Sequence, residues 1–383
     1  VVDRQSGTSL VQLSVNPLNV LQNLSINSGV LNTNNLDVTV GGNFSIANGT
    51  TYTSGTNSTV FNGLTAQAFT INLTGALALN TFKINKPAGS TVIIAGTQNV
   101  INTASLSILS GRLDDNGKTI NVSGNIYNAG IHLSTTGTGK IVMNSDAVVQ
   151  TIDGDGTGVF QNIEFNKPTA GTNAVLVLKN ISVNGVLSFS GAGYKPLNLQ
   201  TNNLLLGASA TISGADANKF IQTSGNAGDG GVTKTYSVTS DSFVFPIGAP
   251  TLAPTAIPAK YTPAVISING TPATYGTITV VPVGIEHPNT TEKGRSLTYY
   301  WRVKSGGGFS LGAATVSHSY SYSTSDVVTI GIDPTEDQYV PARFDRTTNT
   351  WTKGTSASIN TATNTMSAPW LSATGNIDGE YTA

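Results

Sequence analysis

The segment that opens at Leu24, LSINSGVLNTNNLDVTVGGNFSIANG, returns 82 residues later at Leu106 as LSILSGRLDDNGKTINVSGNIYNAG. In this alignment Gly29 meets Gly111, Gly42-Asn43 meets Gly124-Asn125, Gly55 meets Gly137 and Val60 meets Val142. One residue is then lost, and Phe82-Lys83-Ile84-Asn85-Lys86-Pro87 meets Ile163-Glu164-Phe165-Asn166-Lys167-Pro168 at an offset of 81. A third copy opens at Leu187-Ser188-Phe189 and fades near residue 225. Self-similarity at a fixed period is the mark of a stacked architecture, in which no unit buries its apolar face alone. A unit this long exceeds one coil of a solenoid, and coils of roughly 20–27 residues place three or four in each copy.

Within each copy the apolar residues alternate with polar ones over short runs. Examples are Leu36, Val38 and Val40, then Phe69, Ile71 and Leu73, then Ile120 and Val122. Each run ends in Gly, Asn or Asp, as in Gly41-Gly42-Asn43 and Asp114-Asp115-Asn116-Gly117, and period-two alternation closed by such residues reads as strand and turn. No window shows the spacing of an amphipathic helix. The fold expected is therefore all-β: a parallel β-solenoid (β-helix) on the 81-residue repeat, followed by an antiparallel β-sandwich. Its inward set is Leu24, Ile26, Leu36, Val38, Val40, Leu106, Ile108, Ile120, Val122, Val142, Ile163, Phe165, Leu204 and Leu206. Outward Thr, Ser and Asn then stack in ladders free of like-charge repulsion. A chain of separate antiparallel sandwiches is the rival reading, but it requires hairpin turns between long strands, and these are few.

Charge narrows the function classes. There are 19 basic and 20 acidic side chains, a net charge of −1, and only 10% charged residues. With no basic cluster, nucleic acid and polybasic membrane binding are excluded as partners. No cysteine means no disulfide scaffold and no thiol chemistry. The longest apolar runs, such as Ala174–Leu178, are too short to span a bilayer, so no membrane insertion is expected. The opening VVDRQSGTSL lacks a basic stretch followed by an apolar core, so a signal peptide is expected to have been removed or to lie outside this segment.

The domain division expected is 1–20 as an N-terminal strand or linker, 21–225 as the solenoid, and 226–383 as the sandwich. GNAGDGG at 225–231 has linker composition. Beyond it the repeat stops and aromatics and prolines rise. Strand candidates there include Ser242–Phe245, Ala264–Ile268, Gly276–Pro282, Leu297–Val303, Ala314–Tyr322, Val327–Ile332 and Ala342–Asp345, with Tyr300, Trp301, Val303, Phe344, Trp351 and Trp370 as core.

Several phrases carry a resemblance. They are Asn85–Pro87 and Asn166–Pro168, Gln150-Thr151-Ile152-Asp153-Gly154 followed by Phe160-Gln161-Asn162-Ile163, Phe243–Gly248, Tyr261-Thr262-Pro263, Leu297–Val303, and Gly379-Glu380-Tyr381-Thr382-Ala383. In these the chain, from about residue 20 onward, resembles the large surface adhesins and filamentous surface proteins exported by the type IX secretion system of gliding and related Gram-negative bacteria. The resemblance implies an extracellular location on the bacterial cell surface and a role in adhesion or surface structure. The family's C-terminal sorting domain is not in the sequence, so a portion of a longer protein is expected. No catalytic residue carries over.

Candidate sites are few. His132, His287 and His318 do not form a metal motif, and no GxSxG occurs. Glu286-His287 beside Pro288 reads as a loop. STTGTGKI at Ser134–Ile141 departs from a phosphate loop at both ends. Calcium is the cofactor considered: Asp153 and Asp155 offer alternating carboxylates between glycines, Asp333 and Asp337 lie in a second acidic turn, and Asp114-Asp115-Asn116 form a third. For carbohydrate, Tyr299 and Trp301 share one strand face, and Tyr320 and Tyr322 another, giving rings on which a sugar stacks. The leading expectation is a non-enzymatic structural or adhesive rod whose partners are surface glycans or other copies of itself. The alternatives are a carbohydrate-binding module at 226–383 and, behind it, a polysaccharide lyase or hydrolase on the solenoid.

Overall fold

The computed structural model describes every residue except 5–7, 146–148, 168–173, 251–258, 328–335, 355–357 and 371–376, and the side chains of 368–370. The fold is all-β, with a parallel β-solenoid of about ten turns. Its helical elements among the described residues are two 3-10 turns, Thr324–Asp326 and Glu336–Gln338. No helix among them is long and apolar enough to cross a membrane. The chain divides into two compact units, Val1–Lys195 with Ala210–Gly214, and Pro196–Ser209 with Ala215–Ala383.

The first unit is wound on three faces. One face stacks Leu18–Val20, Val38–Val40, Ser58–Phe61, the second half of Leu77–Asn85, the second half of Val100–Ser110, Ile126–Asn128, Gln150–Asp153 and Val175–Val177. A second begins with Leu24–Ile26, Phe44–Ile46, Gln67–Ile71, Thr91–Ala95, Arg112–Asp114 and Ile131–Leu133. A third runs from Leu10–Gln12 through Val30–Asn32 to Thr51–Thr53, and later through Thr119–Val122, Lys140–Met143, Ile163–Lys167, Val186–Gly191 and Thr211–Ser213. Every pairing is parallel and joins one coil to the next. Coils run from 19 residues (Arg112 to Ile131) to 28 (Ile131 to Val159), one residue beyond the expected range at each end.

Alternation decides what enters the middle. Ile26, Val38, Val40, Phe44, Ile46, Phe61, Phe69, Phe82, Ile84, Ile108, Ile120 and Val122 are 0% exposed, so each coil adds apolar side chains to one continuous column. Phenylalanines from successive strands touch within it: Phe44–Phe69 at 5.2 Å, Phe61–Phe69 at 5.0 Å and Phe61–Phe82 at 5.8 Å between centroids. Of the expected inward set, Leu36 is only half-buried, because the strand begins two residues later at Val38, and Val142 stands in register with Asn121 and Glu164 on the outward parity, where Ile141 and Met143 are the inward pair. Outside, the expected polar ladders form. Ser45 Oγ donates to Ser25 Oγ (3.0 Å), Asn121 Nδ2 to Asn102 Oδ1 (2.9 Å), and the Asn43 backbone N–H to Asn23 Oδ1 (2.8 Å).

The sequence copies are not sets of whole turns. Leu24 lies on the second face, its counterpart Leu106 on the first and Leu187 on the third. Between one copy and the next the chain lays down eleven face segments, one short of four turns. Each copy is therefore set round by one face. This works because all three faces ask the same thing of a segment, an apolar residue at every second position. Gly29 and Gly111 hold matched corners at φ +85° and +79°, where a side chain is strained.

The second unit opens with parallel pairs. Leu197–Gln200 lies beside Ile221–Thr223, which lies beside Ile247–Ala249, and Asn203–Leu206 lies beside Gly231–Tyr236. Parallel pairing thus continues past residue 225, as it also begins before residue 21 at Leu10. The GNAGDGG stretch is an ordered turn rather than a linker: Asp229 accepts from the Ser224 hydroxyl (2.6 Å) and from the Asn226 backbone N–H (3.1 Å). Gly231–Tyr236 then takes an antiparallel neighbour, Gly276–Val283, which leads through Tyr300–Gly306, Gly379–Thr382 and Ala342–Asp345 to Thr350–Lys353. A five-stranded antiparallel sheet orders Ser242–Phe245, Ala264–Asn269, Thr315–Ser321, Thr365–Trp370 and Ser358–Asn360. Rings of the two sheets meet, Trp301 with Tyr320 at 4.7 Å and His318 with Tyr381 at 4.5 Å.

Candidate functional site

The densest chemistry in the second unit lies on one side of the strand Tyr300–Gly306. Alternation puts Trp301 and Val303 into the core and leaves Tyr300, Arg302 and Lys304 on the other side. Arg302 sits opposite Glu380 on the neighbouring strand. Glu380 is 1% exposed and has three nitrogen-bearing neighbours, one imidazole and two guanidiniums. His287 Nε2 lies 2.9 Å from its Oε2, the Arg346 Nε–H donates to its Oε1, and Arg302 Nε stands 3.8 Å away. Burial alone raises a carboxyl pKa, but the hydrogen bonds from His287 and Arg346 outweigh it and hold Glu380 below the usual range.

His287 is the centre of this cluster's packing. Its Nδ1 accepts from the Asn289 backbone N–H (3.1 Å), which leaves the proton on Nε2, facing Glu380. Tyr300, Phe344 and Trp351 surround the imidazole at 4.7, 4.8 and 4.7 Å between centroids. The loop expected at Glu286-His287 is present, but His287 is fully buried in it. Sequence reading missed this partnership because 93 residues separate His287 from Glu380.

Beside Glu380 a cleft of about 230 Å³ is lined by Arg302, Lys304, Ser305, Asp345, Arg346 and Asp378, among others. Its carboxylates are occupied. Asp345 accepts from the Thr347 backbone N–H (2.8 Å) and from Arg343 Nη2 (3.2 Å), and Asp378 from the Ser305 backbone N–H (2.5 Å). Hydrogen bonding, first from the Thr347 backbone, holds the Asp345 carboxyl below its usual range. Lys304 is exposed and has no hydrogen bond or ion pair among the described residues. Desolvation, then the charge of Arg302, lowers its pKa.

The Asn-Lys-Pro phrases of the repeat mark a device in the solenoid. Lys86 is 1% exposed, and its Nζ donates to the carbonyls of Gly63 (2.7 Å) and Thr65 (2.8 Å) and to Gln67 Oε1 (2.6 Å). Gln67 Nε2 donates in turn to the carbonyls of Val40 and Gly42. In the next copy Lys167 Nζ donates to Ser145 O and Gln150 Oε1, both at 2.5 Å, while Gln150 Nε2 reaches Val122 O (3.0 Å) and Gly124 O (2.6 Å). Lys167, Ser145, Val122 and Gly124 follow Lys86, Gly63, Val40 and Gly42 by 81 or 82 residues, the offset of the sequence repeat, and Gln150 follows Gln67 by 83. Desolvation brings the Lys86 pKa down to about 8.

The expected calcium turns are built from hydrogen bonds. Asp153 accepts from the Gly154 N–H (2.8 Å), and Asp155 from the Thr157 N–H (2.8 Å) and hydroxyl (2.7 Å). These bonds, the Thr157 hydroxyl first, lower the Asp155 pKa. Asp114 takes the Thr135 N–H (3.1 Å) and hydroxyl from the next coil, and Asp115 pairs with His132 at 2.9 Å, both fully buried. Asp337 is exposed, and Asp333 lies outside the described residues. Among the described residues no three His, Asp or Glu side chains form a metal-holding group.

The sugar platform is corrected. Tyr299, Trp301, Tyr320 and Tyr322 are 3%, 0%, 1% and 6% exposed, so no ring offers a free face. Tyr299 and Trp301 do share a side, at 5.0 Å, but that side is the core, where the Trp301 indole donates to Thr262 O (2.9 Å). Trp351, expected in the core, is half-exposed. Comparison of the chain with protein-family models, with curated proteins and with solved structures found no match.

Proposed function

We propose that this chain is a rigid, extracellular structural segment of a cell-surface fibre or large adhesin, in which the solenoid is the spacer and the two antiparallel sheets are a β-sandwich. The unbroken apolar column of the first unit carries this reading, since Phe44, Phe61, Phe69 and Phe82 and their aliphatic neighbours are fully buried from coil to coil. At about 4.8 Å per parallel strand, eight coils give roughly 38 Å of stacked sheet. Bending such a stack opens ladder hydrogen bonds on one face and crowds a close-packed core on another. The Lys86 and Lys167 clusters add cross-coil ties at buried corners. The surface location rests on the sequence resemblance.

Pulling the chain between residues 10 and 195 by single-molecule force spectroscopy tests the mechanical role. The expected trace holds its length up to a high rupture force and then yields in large steps. Gradual extension at low force sinks the reading. Labelling of intact cells with an antibody to the chain tests the location.

A further inference from the structure

The geometry points to an anion-binding site in the cleft beside Glu380, formed by Arg302, Lys304 and Arg346, that takes the carboxylate or sulfate of an acidic polysaccharide. Three cations converge on about 230 Å³, below the usual size of a drug-sized pocket and suited to one charged group on one sugar ring. The carboxylates there are not available for a cation. Glu380 is held by His287 and Arg346, Asp345 by its turn and Arg343, and Asp378 by the Ser305 N–H.

Both arginines keep donors in reserve. A guanidinium carries five N–H groups. Arg302 gives one to the Ala227 carbonyl and turns Nε toward Glu380, and Arg346 gives its Nε–H to Glu380. Glu380 thus fixes two forks in place, and their remaining N–H groups suit the paired oxygens of a carboxylate or sulfate. Lys304 supplies a third charge that no hydrogen bond or ion pair among the described residues holds; desolvation first, then the charge of Arg302, lowers its pKa against the opposing pull of Asp378 and Glu380. The three cations and the three carboxylates of the cleft sum to no formal charge, so the attraction of an anion comes from the unspent N–H groups of the two forks and from the Lys304 ammonium. A polymer meeting many copies on a surface gains avidity from a weak single contact. The site belongs to the antiparallel unit alone and does not rest on the mechanical role of the solenoid.

Binding of the full chain to polygalacturonate, dextran sulfate and neutral dextran at low salt tests the site. Retention on a polyanion but not on dextran is expected, and the polymer that binds tells a carboxylate ligand from a sulfate one. Lys304→Glu should weaken binding by about tenfold or more. Lys179→Glu, the same charge change at an exposed lysine of the other unit, should leave it within about twofold. Melting curves of both variants should match the parent, and Lys304→Gln should give an intermediate loss. No affinity for either polyanion, or equal weakening by the two Glu variants, overturns the proposal. The force trace of the solenoid is unaffected by any of these outcomes.

Discussion

The parallel coils and the antiparallel strands differ in how they hold their most heavily bonded buried charge. In the solenoid, the Lys86 ammonium sits among backbone carbonyls and one glutamine oxygen. In the antiparallel unit, the Glu380 carboxylate sits among His287, Arg346 and Arg302, and Asp326 is tied to Lys260. The backbone explains the contrast. Where a parallel coil turns a corner, carbonyls leave the ladder and point the same way, so a cation finds several neutral acceptors together. Strands with antiparallel neighbours on both sides exchange their N–H and C=O groups pair by pair and leave no such cluster, so Glu380 takes charged partners; Lys234, whose strand keeps a parallel neighbour, still finds the carbonyls of Gly207 and Ala208.

Removing core rather than charge gives the largest effect. Phe69→Ala should cost about 4 kcal/mol, read from denaturant midpoints, because it opens a cavity touching Phe44, Phe61 and Phe82. A much smaller cost would mean the column is loosely packed and the first unit is no rod. Next comes Glu380→Gln at about 3 kcal/mol, since it leaves two guanidiniums without their counter-ion. If Gln is tolerated, the antiparallel unit does not depend on charge pairing.

Lys86→Met should cost about 2 kcal/mol by stranding the acceptors at Gly63, Thr65 and Gln67. It also carries a pH signature. The folded pKa of about 8 lies below the ordinary 10.5, so between these values the unfolded chain binds more protons and stability rises with pH. The methionine variant loses the Lys86 share of that rise, to which desolvated Lys234 and Lys260 also contribute, measured below pH 10, before the tyrosines titrate. A parent chain whose stability is flat from pH 8 to 10 would contradict the desolvated ammonium.

The smallest effect at neutral pH belongs to His318, whose pKa burial, aided by Arg343, lowers to about 3. Below the ordinary 6.5 the unfolded chain gains a proton that the folded chain refuses, so stability falls as pH drops from 6.5 toward 3. His318→Phe should change little at pH 7 and reduce the loss at about pH 4, with urea midpoints at the two pH values as the readout. An unchanged acid slope would place the sensitivity elsewhere.

Strand positions were largely legible. Ser242–Phe245 and Ala342–Asp345 are found where expected, Gly276–Pro282 and Ala264–Ile268 differ by one residue, and Val327–Ile332 falls almost wholly outside the described residues. Solenoid alternation was readable because burial in a stack depends on parity alone. The number of turns per copy was not, because parity is the same on every face. The site was hidden for a different reason. Glu380, His287, Arg302 and Arg346 are brought together by strand order, which no local pattern encodes. Burial likewise settled the rings: Trp301 and Trp351 look alike in sequence, and only the packing of two sheets separates them.

The face-by-face slippage of the repeat governs what the outside world meets. Had each duplication spanned whole turns, any outward feature would line up along one flank of the shaft. Eleven segments instead advance the pattern like treads of a spiral stair, so Leu24, Leu106 and Leu187 head copies that look out in three directions. Lengthening by a third of a turn is then as easy as lengthening by a whole one, and a shaft grown this way has no front or back.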